Sequence, residues 1–156
     1  MRDAGFMREA IIAAEFARDE FDEIPIGAVI VNENNDIIAI AGNRTRTDCD
    51  PTAHAEIIVL REAAKIVGNY RLTRLSIYST IEPCAMCAGA LIQARIKRLV
   101  YGAADERFGA VHSRFNLCDT SSLNHQMEIA SGVLENECKS LMQSFFQARR
   151  QKAKST

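Results

Sequence analysis

The sequence has no long hydrophobic run and no marked excess of charge of either sign. None of its apolar runs approaches the roughly 20 residues that span a bilayer, which argues against a membrane protein. The formal net charge of −1 by itself predicts neither a nucleic-acid partner nor a membrane surface.

The sequence also shows neither the pattern of a signal peptide nor that of a disulfide framework. The N-terminal stretch contains many acidic residues and lacks the basic start and the small-residue cleavage site of a secretory signal. The five cysteines are an odd number, which argues against a purely disulfide-bonded scaffold. We therefore expect an intracellular, cytoplasmic protein with reduced thiols and no membrane partner.

The length and composition suit one globular domain. The chain has 156 residues, of which 47% are hydrophobic and 25% charged, and it contains no repeat, linker or domain break. We predict a single domain over residues 1–156 with a basic C-terminal tail from about residue 149. That tail has two interpretations, a solubilising segment or a surface for an anionic partner.

Hydrophobic periodicity and turn residues predict four helices and five strands. The first elements are a helix over 2–20 and a hairpin of strands 24–31 and 37–42. Asp50 and Pro51 predict the cap and first residue of a helix that ends near Gly68. The remaining predicted elements are strand 75–80, helix 84–96 opened by Pro83, strand 98–103, strand 126–131 and helix 134–150, with residues 104–124 irregular or partly helical. This order predicts an α/β fold, a three-layer α/β/α sandwich around a central five-stranded mixed sheet.

Two cysteines three residues apart, Cys84 and Cys87, open the third predicted helix. A redox pair would leave His54 and Glu56 unexplained, and a closed structural zinc site would need a second pair of ligands that the chain lacks. A catalytic zinc site needs three protein ligands and one position for water, and His54, Cys84 and Cys87 supply three. Two thiolates and one imidazole suit Zn²⁺ better than Mg²⁺ or Ca²⁺. The pattern therefore favours a catalytic zinc site.

Glu56 follows His54 by two residues, and such positions do not share a helix face. The two side chains can meet one pocket only at the first turn of the helix. Glu56 is then better placed beside a bound water, as a general base, than on the metal. The alternative is an exposed acid favoured by the helix dipole. Cys138 is interpreted as a core residue and Cys49 as a bystander, and the sequence assigns no role to Cys118 or His112.

The segments HAE at 54–56 and PCAMC at 83–87 match the H-x-E…P-C-x-x-C signature of zinc nucleobase deaminases. Further blocks, among them GAVIV, GNR, DPTAHAEI, VYGAAD, LNH and GVLENEC, resemble the bacterial tRNA-specific adenosine deaminases of the cytidine deaminase superfamily. The resemblance covers residues 7 to about 150. It implies a cytidine deaminase-like fold, one catalytic Zn²⁺ per subunit and a homodimer.

The same resemblance implies the reaction and its residues. Such enzymes flip the wobble adenosine out of the anticodon stem-loop of an arginine tRNA and hydrolyse it to inosine, releasing ammonia. Glu56 would be the catalytic residue, and His54, Cys84 and Cys87 the metal ligands. The matching substrate-binding positions are Asn43, Asp105, Asn124, Phe145 and Arg149.

Two rival functions stay open at this point. A deaminase of a free base or nucleoside, such as guanine or cytosine, would share the same catalytic residues. A zinc-containing RNA-binding or scaffold protein would need no catalysis, although the presence of Glu56 argues against it.

Overall fold

The computed structural model describes residues 2–155 and contains a five-stranded sheet with four helices. In chain order the elements are α1 (Arg2–Phe21), β1 (Gly27–Val31), β2 (Ile37–Gly42), α2 (Ala55–Val67), β3 (Ser76–Ile81), α3 (Ala85–Gln93), β4 (Arg98–Ala103), β5 (Glu128–Ser131) and α4 (Glu135–Lys154). The predicted number and type of elements are confirmed.

The sheet has the strand order β2-β1-β3-β4-β5. Strand β1 is antiparallel to both of its neighbours, whereas β3, β4 and β5 pair in parallel. The predicted mixed sheet is therefore confirmed. Parallel pairing brings the carboxyl ends of β3 and β4 to one edge, where ligand sites of open α/β sheets lie.

Alternate residues of the strands face two separate cores. Ala28 and Ile30 pack with α2 and α3 on one side, while Val29 and Val31 pack with α1 and α4 on the other. Helix α1 lies so close to the sheet that a Cβ on Gly27 would overlap the Ala10 carbonyl. Two helices on each face make the three-layer α/β/α sandwich that the element order predicts.

The predicted start of α2 is wrong by four residues, and the reason is local. The Asp50 carboxylate accepts hydrogen bonds from the Thr52 N–H at 2.9 Å and the Thr52 hydroxyl at 2.7 Å, which closes a turn instead of capping a helix. The helix begins at Ala55, and His54 is its N-cap with extended backbone. Gly68 ends the helix in the left-handed conformation, as predicted.

Smaller differences affect other element ends. Helix α3 stops at Gln93, three residues before its predicted end, because Arg95 adopts a left-handed backbone conformation. Helix α4 continues to Lys154, so the predicted basic tail is the last turns of a helix. Within residues 2–155, no helix is long and apolar enough to cross a bilayer.

Candidate metal centre and active site

The three predicted metal ligands lie at the N-terminal ends of two helices. His54 is the N-cap of α2, and Cys84 is the N-cap of α3, three residues after the end of β3. Both N-cap residues have an extended backbone conformation. Their side chains therefore need not point in the direction that helical residues share. Cys87 follows one turn into α3 and is fully buried.

One nitrogen of His54 faces both thiols. The Nδ1 atom lies 3.6 Å from the Cys84 sulfur and 3.5 Å from the Cys87 sulfur. Donor atoms of the three residues all lie within 4.8 Å of one another, and they are the group of potential metal ligands found among residues 2–155. Two sulfurs and one imidazole nitrogen at this spacing are compatible with zinc.

The two thiols are not equivalent. A hydrogen bond with Cys87 is the main cause that lowers the pKa of Cys84 to about 4, and the same contact raises the pKa of Cys87. The contact with Cys84 also raises the pKa of His54. The three side chains therefore influence one another's protonation, and a bound cation would favour the thiolate forms because metals coordinate thiolates.

The Glu56 carboxylate lies in the first turn of α2 and is only 4% exposed. Among the residues described, its Oε1 atom has no hydrogen-bond partner. Burial is the main cause that raises the pKa of Glu56. A buried carboxylate oxygen without a partner is costly, so it marks a place where water or a ligand is expected. Because His54 precedes the helix, the two side chains need not share a helix face.

Asn43 joins the end of β2 to the start of α2. It is buried, and its Oδ1 atom accepts a hydrogen bond from the Ala55 N–H at 2.9 Å. The His54 side chain makes no such capping bond, so Asn43 satisfies one of the free N–H groups of this helix end. Asn43 is thereby held next to the residue between His54 and Glu56.

Asp105 and Asn124 lie on the long connection between β4 and β5. Asp105 accepts hydrogen bonds from the N–H groups of Arg107 and Phe108, both at 3.1 Å, and so shapes its own loop. Asn124 is exposed, and its backbone carbonyl accepts a hydrogen bond from Arg95. The contacts described for Asn124 do not join it to the three metal-capable residues.

Phe145 and Arg149 contact each other on α4. Phe145 is 8% exposed and Phe146 39%, so one of these neighbouring aromatic side chains is buried and the other is exposed. The Arg149 guanidinium lies 4.7 Å from the Phe145 ring centre and 2.8 Å from the Asp22 carboxylate. The exposed aromatic of this pair is therefore Phe146, and the predicted contact residue Phe145 lies beneath Arg149.

The other cysteines and His112 lie apart from this group. Cys118 and Cys138 are buried in the two cores, as predicted for Cys138. Cys49 is exposed, and its thiol donates to the Arg46 carbonyl at 3.8 Å. His112 pairs with the Tyr101 hydroxyl at 2.8 Å.

Comparison with known proteins agrees with this geometry. A family model described as MafB19-like deaminase matches residues 1–150. The tRNA-specific adenosine deaminase of Haemophilus influenzae is 48% identical over 152 residues, which cover 97% of this chain and 87% of that protein. The chain belongs to the tRNA-specific adenosine deaminase family.

Two solved structures are also similar to this chain. A structure from work on A-to-I editing by tRNA:A34 deaminases at the wobble position matches with a TM-score of 0.83 and 44% identity, covering 88% of this chain and 98% of that chain. Guanine deaminase from Bacillus subtilis matches with a TM-score of 0.62 and 40% identity, covering 64% of this chain and 63% of that chain.

The sequence interpretation missed two buried carboxylates, one beside the cysteine ligands and one at the end of α1. Glu82 ends the segment before Pro83, and Glu23 follows α1; both are fully or almost fully buried. The signal available for Glu82 was an acid directly after a buried strand and before the Pro-Cys pair. Glu23 stood in a run of acids that resembles a solvated face, so nothing in the pattern distinguished it.

Proposed function

We propose that this protein hydrolyses the wobble adenosine in the anticodon stem-loop of an arginine tRNA to inosine, with release of ammonia. One observation carries the proposal: three metal-capable side chains converge next to a buried carboxylate oxygen that lacks a partner among residues 2–155. Membership of the deaminase family supports the reaction type, and the resemblance of the sequence supports the arginine tRNA.

His54, Cys84 and Cys87 are proposed to hold one catalytic Zn²⁺ per subunit. Their donor atoms fit the ion chemically, because one imidazole and two thiols are ligands of catalytic zinc, which leaves a position for water. A zinc ion bound there would lower the pKa of its water toward about 7 and so supply hydroxide at neutral pH.

Glu56 is proposed as the catalytic acid and base. Hydrolysis forms a C–O bond at the ring carbon that bears the exocyclic amine and breaks the C–N bond, with water as the oxygen source. Glu56 would take the proton of that water, deliver it to the ring nitrogen and then assist the departure of ammonia. Burial is the main cause that raises the pKa of Glu56, which makes its carboxylate a stronger proton acceptor than an exposed glutamate.

Substrate contacts are proposed for Asn43, Asp105, Asn124, Phe145 and Arg149. Asn43 is buried beside the start of α2, which suits a contact to the edge of a flipped base. Phe145 and Arg149 line a groove of about 290 Å³ together with Arg18 and Lys152. Cations along such a groove suit RNA phosphates, and the basic end of α4 extends it.

A homodimer in the cytoplasm completes the proposal. Large apolar side chains on the surface, among them Ile12, Phe16 and Tyr70, are candidates for burial between two copies. Light scattering on a sizing column measures the mass in solution, and a monomer at micromolar concentration would contradict the dimer.

A second candidate is the deamination of a free base such as guanine. The likeness to the guanine deaminase of Bacillus subtilis over part of the chain favours it, and the catalytic residues would be unchanged. The exposed cations at the end of α4 favour RNA over a free base.

The deciding experiment measures inosine in a hairpin that copies the anticodon arm of an arginine tRNA with adenosine at the wobble position. Free adenosine, guanine and cytidine are assayed in parallel with the same zinc-loaded protein. Conversion of the hairpin alone supports the proposal. Conversion of guanine alone would favour the second candidate, deamination of a free base. If the zinc-loaded protein converts none of these compounds, a non-catalytic RNA-binding or scaffold role is favoured.

A further inference from the structure

Glu82 accepts an unusual number of hydrogen bonds for one buried carboxylate. The side chain is 2% exposed, and its oxygens accept the N–H groups of Asp105, Val111, His112 and Ser113 at 2.8–3.1 Å. The Ser113 hydroxyl donates to the same carboxylate. All five donors belong to one segment of the connection between β4 and β5, residues 105–113, which we call the 105–113 loop region.

This loop region is joined directly to the segment that carries the cysteine ligands. Gly109 pairs with Cys84 in an isolated antiparallel bridge, and the Ala110 N–H donates to the Pro83 carbonyl at 2.9 Å. A Cβ on Gly109 would overlap the Glu82 carboxyl group, so glycine permits the close approach. Glu82 therefore ties the loop region to the backbone directly before Cys84.

The outer side of the loop region carries groups that suit RNA. Phe108 is 67% exposed and follows Arg107, which is also exposed. An exposed aromatic beside a cation is the pair that stacks an unpaired base and contacts its phosphate. The backbone of the loop region is held by Glu82, whereas the side chain of Phe108 is exposed to solvent. Phe108 directly precedes Gly109, which forms the bridge to Cys84.

We propose that Glu82 is a positioning residue that holds the 105–113 loop region, and with it Phe108, against the anticodon loop of the substrate. The proposal rests on the proposed function, because it concerns how that site recognises RNA. Glu82 does not touch the reacting atoms. It acts through the four backbone N–H groups that it orders, and therefore on substrate affinity more than on the chemical step.

A purely structural role makes a different prediction. If Glu82 only stabilises the fold, then any variant of equal stability loss should alter RNA binding equally. Thr80→Val provides the matched control, because Thr80 is buried two residues earlier and accepts one hydrogen bond, from the Gly27 N–H at 3.1 Å. That bond lies between β3 and β1 and does not involve the loop region.

The experiment compares wild type, Glu82→Gln, Ser113→Ala and Thr80→Val as zinc-loaded, full-length proteins. Deamination of the anticodon hairpin yields KM and kcat, emission spectroscopy yields zinc per chain, and hydrogen exchange reports the amides of residues 105–113. In Glu82→Gln the new amide group opposes N–H donors, so these amides should exchange faster. Ser113→Ala removes one donor and keeps the carboxylate, which preserves a readout if Glu82→Gln folds poorly.

We expect KM to rise about tenfold in Glu82→Gln, the order of effect of losing one stacked base, with kcat and zinc within about twofold of wild type. Ser113→Ala should raise KM about twofold, and Thr80→Val should leave KM unchanged despite a lower Tm.

Three results would overturn the inference: an unchanged KM in Glu82→Gln, a loss of zinc in proportion to activity, or an equal rise of KM in Thr80→Val. An unchanged KM beside an active wild type would leave the proposed function intact. A wild-type protein that does not convert the hairpin would overturn the proposed function and this inference together.

Discussion

The metal centre and the end of α4 differ in whether their polar groups have partners within the described chain. At the metal centre, His54 Nδ1 converges with two sulfurs, and Glu56 Oε1 has no partner within residues 2–155. At the end of α4, Arg149 is already paired with the Asp22 carboxylate and stacked on Phe145. The first region presents groups that a ligand can use, whereas the polar groups of the second are paired within the chain.

This difference predicts how costly binding is in each region. A ligand that bonds to a buried group without a partner binds favourably. The cost of removing that group from water arises on folding, so binding does not add it again. Arg149 must exchange one partner for another, so its contact to a phosphate contributes only the difference between the two. Variants at the metal centre should therefore have large effects, and variants at α4 small ones.

The largest effect is expected for Cys87→Ala, because it removes one of three converging donors. We expect zinc to fall well below one ion per chain and deamination to be lost, as measured by emission spectroscopy and inosine formation. Cys138→Ala is the control, since Cys138 is an equally buried thiol on the other face of the sheet. Zinc retained at full occupancy in Cys87→Ala would contradict the ligand assignment.

Glu56→Gln is expected to lower kcat about 10²–10⁴-fold, the usual contribution of a general acid–base, while zinc and hairpin affinity persist. Because the carboxylate is buried with an oxygen that lacks a partner among the described residues, the neutral amide should not lower the Tm. A kcat within about tenfold of wild type would remove Glu56 from the catalytic role.

A smaller change is expected when Arg149 is released from its intramolecular partner. Asp22→Asn removes the charge that pairs with Arg149 and with Arg46, and asparagine tolerates the left-handed backbone that Asp22 adopts. Hairpin affinity should rise about threefold at low salt, with a steeper salt dependence. Fluorescence anisotropy measures both, and Arg149→Ala should change affinity in the other direction. If both variants bind the hairpin with the affinity of the wild type, the RNA does not contact Arg149.

The smallest effect on deamination is expected for a pair far from the metal centre, Asp3 and Arg98, whose variants should change stability instead. Hydrogen bonds from Arg98 at 2.8 and 2.9 Å are the main cause that lowers the pKa of Asp3 from 3.8 to about 2. A lowered pKa stabilises the fold above the ordinary value, and that contribution is lost as the pH falls from about 4 to about 2. Asp3→Asn should therefore cost about 1–2 kcal/mol at pH 7 and almost nothing near pH 2. Urea unfolding at both pH values tests this, and a constant difference would contradict it.

The sequence predicted most of the fold because strong local signals mark its elements. Gly68 and the buried runs of β3 and β4 lie where pattern and turn chemistry place them. The start of α2 was mispredicted because Asp50 bonds the N–H and hydroxyl of Thr52, which lie within reach in a turn as well as in a helix. Local signals of this kind are ambiguous, and packing decides between them.

The predicted substrate positions show the same limit. Phe145 and Phe146 are neighbours, and periodicity predicts that only one is buried without deciding which. Arg149 was predicted as a substrate-binding position, and nothing in the sequence indicated that Asp22 lies against it from the end of another helix, 127 residues away in the chain.

By itself, the sequence determined the set of metal-capable residues, the order of helices and strands and the layers of the fold. These follow from spacing along the chain, because a ligand pair three residues apart and an alternation of apolar residues are local properties. Only the tertiary structure decided that Glu82 holds residues 105–113 and that Glu23 accepts hydrogen bonds from Thr45, Arg46 and Thr47. An acid in a sequence shows its charge but not its burial, and burial with many N–H donors arises only when distant segments pack together.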